Sequence, residues 1–414
     1  MTQLIHKMGG DSVVTNTDGV LFTGTPGVVQ TVPFLGLSDA NNVALGETAL
    51  EDNTSGVHMV AVGYGALADN TTGFNNTAVG NEALTANVSG QHNTAVGVNA
   101  LATNVSGSSN TAVGEGALET STGDNNTAVG ANALEFTSTG EYNTAVGINA
   151  LQANTTGTSN TACGRAALFM STTGDNSCAF GDSALNLFDG TVPCNAFGVQ
   201  ALGANTSVGY NDAFGYDALS SLTGGSGFNF AFGYQAMMGF STGEGFNCAF
   251  GPFVMLNYNG AGTNGFGVSA LYAMTSGTNN NGFGGNALGV VTTGSYNTAV
   301  GDSSLNENLV TGSYNTAIGA ATSVSADLSN TTTLGYGAQA TADNMVVIGN
   351  EEVTDTIING GNVWFTVIGA PPTSSGTAGT AGQISIASDG NMYLCTVTGA
   401  AGSASWVMFN TTAV

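Results

Sequence analysis

Asn93-Thr94-Ala95-Val96-Gly97 is one copy of a phrase that returns, with drift, from Asn42 to Gly349. Its closing glycine occurs nineteen times, beginning Gly46, Gly63, Gly80 and ending Gly319, Gly335, Gly349. The spacing is 17 residues, occasionally 16 or 18, and 14 at the last step. A short period held over so much of the chain marks a solenoid, in which each repeat is one coil laid on the last. The expected fold is all-β: a parallel β-roll or β-solenoid of about nineteen 17-residue coils, with small β caps at both ends.

Aligning the copies on their glycines turns the sequence into columns. The residue before Gly is apolar in every copy: Leu45, valine from Val62 to Val146, Cys163, seven phenylalanines from Phe180 to Phe283, then Val300, Ile318, Leu334 and Ile348. Size and hydrophobicity assign this column to the core, with the phenylalanines stacking in an interior widened to hold them. Two before Gly, Ala or Gly stands in seventeen of nineteen copies. Strand alternation puts that column on the opposite face. Either alanine fills a thin core, or it lets further copies of the chain approach closely; the second reading is preferred.

Four after Gly, a leucine column (Leu50, Leu67, Leu84 through Leu305, with Met237 and Met255) reads as a second short strand or the bend into one, meeting the valine and phenylalanine column. One coil is then two brief strands and two turns. Asparagine fills the position four before Gly in thirteen copies, which predicts a hydrogen-bonded ladder along the stack. The position three before Gly is mostly threonine but includes Asp212, so it is read as half exposed at the rim.

Charge narrows the function. Two basic residues, Lys7 and Arg165, stand against 27 acidic ones. Such a chain cannot neutralise phosphates, which argues against nucleic acid, and an anionic membrane surface repels it. The five cysteines are odd in number and lack metal-ligand spacing; Cys163, Cys178 and Cys248 take repeat positions and read as small core thiols. No signal peptide and no membrane-spanning run is expected.

Residues 1–40 do not repeat, and read as a cap and attachment segment with short strands in Gly19–Thr23 and Val28–Val32. Residues 41–350 form the shaft, 351–370 a junction, and 371–414 a small β tip with strands near 383–387, 392–398 and 405–409.

Asn-Thr-Ala-Val-Gly followed by Ala-Leu, with the shorter copy from Thr333-Leu-Gly-Tyr-Gly to Met345-Val-Val-Ile-Gly349, resembles the head repeats of trimeric autotransporter adhesins, repeats also found in phage tail-fibre and giant-virus proteins. The resemblance covers residues 42–349 and implies a left-handed parallel β-roll with three chains side by side. The period here is mostly 17 rather than that family's 14, and no secretion signal or C-terminal membrane barrel is read. The end block, Gly379–Ile384 through Tyr393-Leu-Cys395 to Trp406, is similar to a module that closes phage fibres. Together these imply a homotrimeric virion fibre that lies on the particle surface. Its N-terminus would join a virion base or capsid protein, and its tip or shaft a host glycan or protein.

No catalytic constellation and no cofactor is read. Two sets of residues are candidates for binding. Asp124 and Glu141 follow turn glycines one coil apart and form a candidate cation pair. Tyr210, Phe228 and Phe246, and separately Tyr296 and Tyr314, each stand five before Gly in successive coils. They form an aromatic ladder that either stacks on sugars or packs on a flank. Alternative functions are a polysaccharide-degrading fibre, a cell-surface adhesin, and an ice-binding solenoid using the column Thr77 to Thr161.

Overall fold

The computed structural model describes residues 4–8, 11–16, 19–22, 41–190, 192–206, 209–224, 227–242, 245–353, 384–386, 392–397 and 405–409. It divides into two units, Met1–Glu352 and Val353–Val414. The first unit is dominated by a parallel β-solenoid of nineteen three-residue strands, from Val43–Leu45 to Val346–Ile348, with no helix among the described residues. Each strand pairs in register with its counterpart one coil on, as in Thr77↔Thr94, Ala78↔Ala95 and Val79↔Val96. The ladder is open, since the recorded pairings run from the first strand to the last without joining the two ends.

The strand is short because the chain turns immediately after it. Gly80 takes φ +143, and two positions further on Glu82 (φ 53) and Leu84 (φ 52) enter the left-handed region in succession. Inter-coil bonding nonetheless continues round the turn: Glu82 N–H donates to Tyr64 O at 2.8 Å, Leu84 N–H to Ala100 O at 2.9 Å and Ala86 N–H to Ala102 O at 3.0 Å. Left-handed leucine costs about 1–2 kcal/mol. Complete burial of its side chain, worth about 2–3 kcal/mol, offsets that. Of the two readings of the leucine column, a second short strand or the bend into one, the structure has the bend. Paired two-residue strands occur at the corresponding place only in the last coils, Ser323–Val324 against Gln339–Ala340.

The interior is the reverse of the sequence expectation. Alanine at the strand centre is buried, with Ala61 to Ala249 fully inaccessible, and it packs on the leucine column. The residue before Gly is buried in none of the nineteen coils. The phenylalanines do stack, Phe197 on Phe214 at 4.7 Å and Phe232 on Phe250 at 4.7 Å, but on the outside. They do not widen the interior. The alanines therefore fill each chain's own core and cannot be the contact with sister chains. A coil with one three-residue strand and tight bends has room for a methyl group at the strand centre and one leucine opposite. Outward alternation also explains the threonine column, which is half-buried as expected and holds Asp212 without penalty; Asn195 donates to its Oδ1 at 2.6 Å.

Two buried columns complete the interior. The expected asparagine ladder is present: Asn76 Oδ1 accepts from Asn93 N–H at 2.9 Å, while Asn76 Nδ2 donates to Gly90 O at 2.8 Å. The pattern continues through Asn110, Asn126, Asn143 and Asn160. Seven residues after Gly lies a column that sequence reading missed. It opens as a side-chain amide ladder, with Asn87 donating to Asn70 at 2.8 Å. It then becomes apolar at Phe188, Leu222, Phe240, Tyr258, Met274 and Val291, all fully buried. These residues, not the phenylalanine run, enlarge the interior.

The N-terminal strands Leu4–Met8, Asp11–Asn16 and Gly19–Phe22 form an antiparallel sheet. The third matches expectation; Val28–Val32 lies outside the described residues. In the second unit, Ile384–Ile386, Met392–Val397 and Ser405–Phe409 form an antiparallel sheet where three strands were expected.

Candidate functional site

The outward face of the solenoid carries most of the unusual chemistry. Valine or phenylalanine before Gly sits beside the residue after Gly, which is itself often large and exposed: Tyr64, Val98, Ile148, Val199, Tyr216 and Tyr234. Tyr216 and Tyr234 stack at 5.4 Å, parallel to the phenylalanine stack. Strand geometry produces this face directly: with Ala inward, its two neighbours in the strand point out. A soluble monomer seldom bares a continuous apolar patch of more than a few hundred Å².

The second outward feature is the corner five before Gly. Tyr210, Phe228 and Phe246 are brought together as a stack, with centroids 4.8 and 5.4 Å apart and planes within 15°. Tyr296 and Tyr314 form a second stack at 5.1 Å. All five hold positive φ between 56 and 67 and are exposed. Because the rings cover one another, only their edges and the ends of each stack face solvent.

Asp124 and Glu141 sit one coil apart, but Asp124 Oδ1 is turned to the preceding coil, accepting from Ser108 N–H at 2.7 Å. No group of three or more His, Cys, Asp or Glu able to hold a metal occurs among the described residues. Asp175 repeats the Asp124 arrangement with Thr158. The most developed case is Asp327, which accepts from the N–H groups of Val310, Thr311 and Gly312 at 3.0, 2.8 and 2.6 Å and from the Thr311 hydroxyl. Partial burial raises the Asp327 pKa, but these hydrogen bonds outweigh it and the net shift is downward. These carboxylates clamp turns.

Glu119 is pushed up, first by burial and then by the charge of Glu135. Of Cys163, Cys178, Cys194 and Cys248, only Cys194 is buried, and burial pushes its thiol up to about 12. Cys163, Cys178 and Cys248 are half-exposed rather than core thiols, because their columns point outward. A shallow groove of mixed polar and apolar lining runs past Ser183, Asn186, Leu187, Gln200, Ala204 and Ser220 on the turn face. Among the described residues no helix is long and apolar enough to cross a membrane.

The fold and these surfaces define a parallel β-solenoid with an apolar outer ladder. A scan against protein-family models finds no match, and a search of curated proteins finds no relative.

Proposed function

We propose that the chain is the subunit of a homotrimeric attachment fibre, its shaft chains packed side by side through the outward Val/Phe ladder. The observation that supports this reading is the unbroken outward column from Leu45 to Ile348 together with its neighbour column. Leu45, Val96, Val146, Phe180, Phe232, Phe250 and Ile348 are exposed along the first column and Tyr64, Ile148, Tyr216 and Tyr234 along the second, an extended apolar ladder of the kind that marks an interaction surface. In-register stacking gives each chain the same ladder at the same pitch, so identical copies match along the whole shaft. The number three follows the resemblance to adhesin head repeats, as does placement on a virion surface with the N-terminus toward the particle and the tip toward a host. Eighteen coil steps span about 90 Å at ordinary strand spacing, and a trimer presents every surface feature three times, which multiplies weak contacts by avidity. Binding and reach are the roles this geometry serves.

The test is the native mass. The reading expects three times the chain's 41.0 kDa, and dissociation when the ladder is made acidic at Phe214. A native monomer overturns it.

A further inference from the structure

In the aromatic corner column, ring covers ring until Phe246, and there the stack stops. Phe228 lies against one face of Phe246 at 5.4 Å with planes 5° apart. On the other side the register Cys248↔Asn264 puts Gly262 at the same corner one coil on, so that level has no side chain. Phe246 is accordingly 68% exposed, more than any other phenylalanine in the shaft. One further coil brings Asn279. Its amide leans toward the gap: a Cβ on Gly262 would lie 2.6 Å from Asn279 Oδ1.

The backbone does not demand glycine here. Gly262 has φ +64, and Asn279 (56), Tyr296 (59) and Tyr314 (63) hold the same conformation with side chains attached. Two coil steps, about 9.5 Å, separate the Phe246 and Asn279 levels. The Asn279 amide reaches back into the intervening level beside the backbone, so one six-membered ring at stacking distance from Phe246 sits on the outer part of the Phe246 face with its inner edge against that amide.

We propose that this gap is a binding slot for a single neutral pyranose unit of a glycan. A pyranose offers an apolar C–H face to Phe246, and its hydroxyls exchange hydrogen bonds with the exposed Asn279 amide and the Thr278 hydroxyl. An aromatic side chain would meet one apolar wall and desolvate the amide opposite. An acidic sugar would enter a chain with 27 carboxylates and two cations, of which Arg165 is paired with Asp182. The slot gives the attachment role a ligand class and rests on that reading for its meaning; the mass measurement and the sugar experiment fail separately.

The test is saturation-transfer NMR on the full chain with the methyl glycosides of glucose, galactose, mannose and N-acetylglucosamine, and with sialic acid and indole as comparison probes. At least one neutral glycoside is expected to receive saturation on its ring C–H protons. Phe246→Ser and Gly262→Tyr should each weaken that binding at least about tenfold. Gly262→Tyr continues the stack in a conformation the neighbouring tyrosines already adopt; its Cβ must displace the Asn279 amide, the end of a flexible side chain, so its melting temperature should fall by no more than about 4 °C. Silence from all four glycosides, equal binding of sialic acid or indole, or undiminished binding to Gly262→Tyr would each overturn the assignment.

Discussion

Replacing Gly80 with alanine tests the geometry of the coil itself. Gly80 has φ +143, a region essentially confined to glycine, where another residue costs about 1–3 kcal/mol. The added Cβ would lie 2.2 Å from Gly97 O and 2.6 Å from Gly97 C, against an ordinary contact distance of 3.4 Å. Both are backbone atoms of the next coil, so no side chain can swing aside. The coils must part by about 1 Å, which stretches the bonds that cross that level, Gly97 N–H to Val79 O at 2.8 Å and Asn99 N–H to Asn81 O at 2.9 Å. Those bonds contribute about 1 kcal/mol each. The combined loss is about 3–5 kcal/mol, concentrated at one level because a solenoid transmits contacts only to neighbouring coils. Gly65→Asn is the internal control. Gly65 has φ +65 with its nearest neighbour, Glu82 Cγ, at 3.5 Å, and the equivalent positions already carry Glu82, Asn99 and Asn132. Amide hydrogen exchange reads both variants locally. Gly80→Ala should speed exchange at Gly97 and Asn99, whose N–H groups bond across that level, by two or more orders of magnitude, consistent with about 3 kcal/mol of local opening, while Gly65→Asn leaves it unchanged. Parent-like exchange in Gly80→Ala would refute the close-approach argument.

Further expectations follow from the interior and the turns. Gly265→Ala puts a methyl 2.5 Å from Val254 Cγ1 and should cost about 1–3 kcal/mol; Val254→Ala in the same chain should recover most of it, as a double-mutant cycle in denaturant will register. Asn126→Ala strands the Asn143 N–H and the Gly140 carbonyl, both now bonded to Asn126. Calorimetry should report a loss of about 2–4 kcal/mol, and a smaller one for Asn126→Ser, since Ser177 fills the equivalent place. Asp327 has a lowered folded pKa, so its contribution is present above the ordinary aspartate range and disappears as pH falls through the folded value. Melting temperatures at pH 7 and about pH 2 should differ less for Asp327→Asn than for the parent, and added salt should narrow that difference because the carboxylate is exposed.

The columns, their pitch and the asparagine ladder were legible because each recurs by letter at fixed spacing; the strand at Gly19–Phe22 and the three of the second unit were legible as apolar runs between turns, while Leu4–Met8 and Asp11–Asn16, with polar residues mixed in, were not read. The facing of the strand was misread because size was taken as the sign of burial. A better sign was present: alanine stays nearly constant while the residue after it drifts from valine through cysteine to phenylalanine and back. Near-constant alanine marks a position with room for little more than a methyl group, and the residue beside it in the strand varies in size because it faces out. Val254 and Gly265 show what an interior position does when one residue grows: its neighbour shrinks. The column from Asn53 to Val291 escaped notice because its residue type changes from amide to hydroxyl to aromatic. At the leucine column the bend, one of the two readings offered, holds; its left-handed conformation was not foreseen because it contradicts local propensity, and inter-coil bonding and burial impose it. The aromatic stacks were found by spacing, but the open end at Gly262 needed the register.

The account turns on which side of the strand faces the chain's own core. Sedimentation equilibrium of the parent and of Phe214→Asp tests it most directly. The parent is predicted at three times 41.0 kDa and the variant as a folded single chain of 41.0 kDa. A parent that sediments at 41.0 kDa, or a variant that unfolds because Phe214 was needed inside, would contradict it.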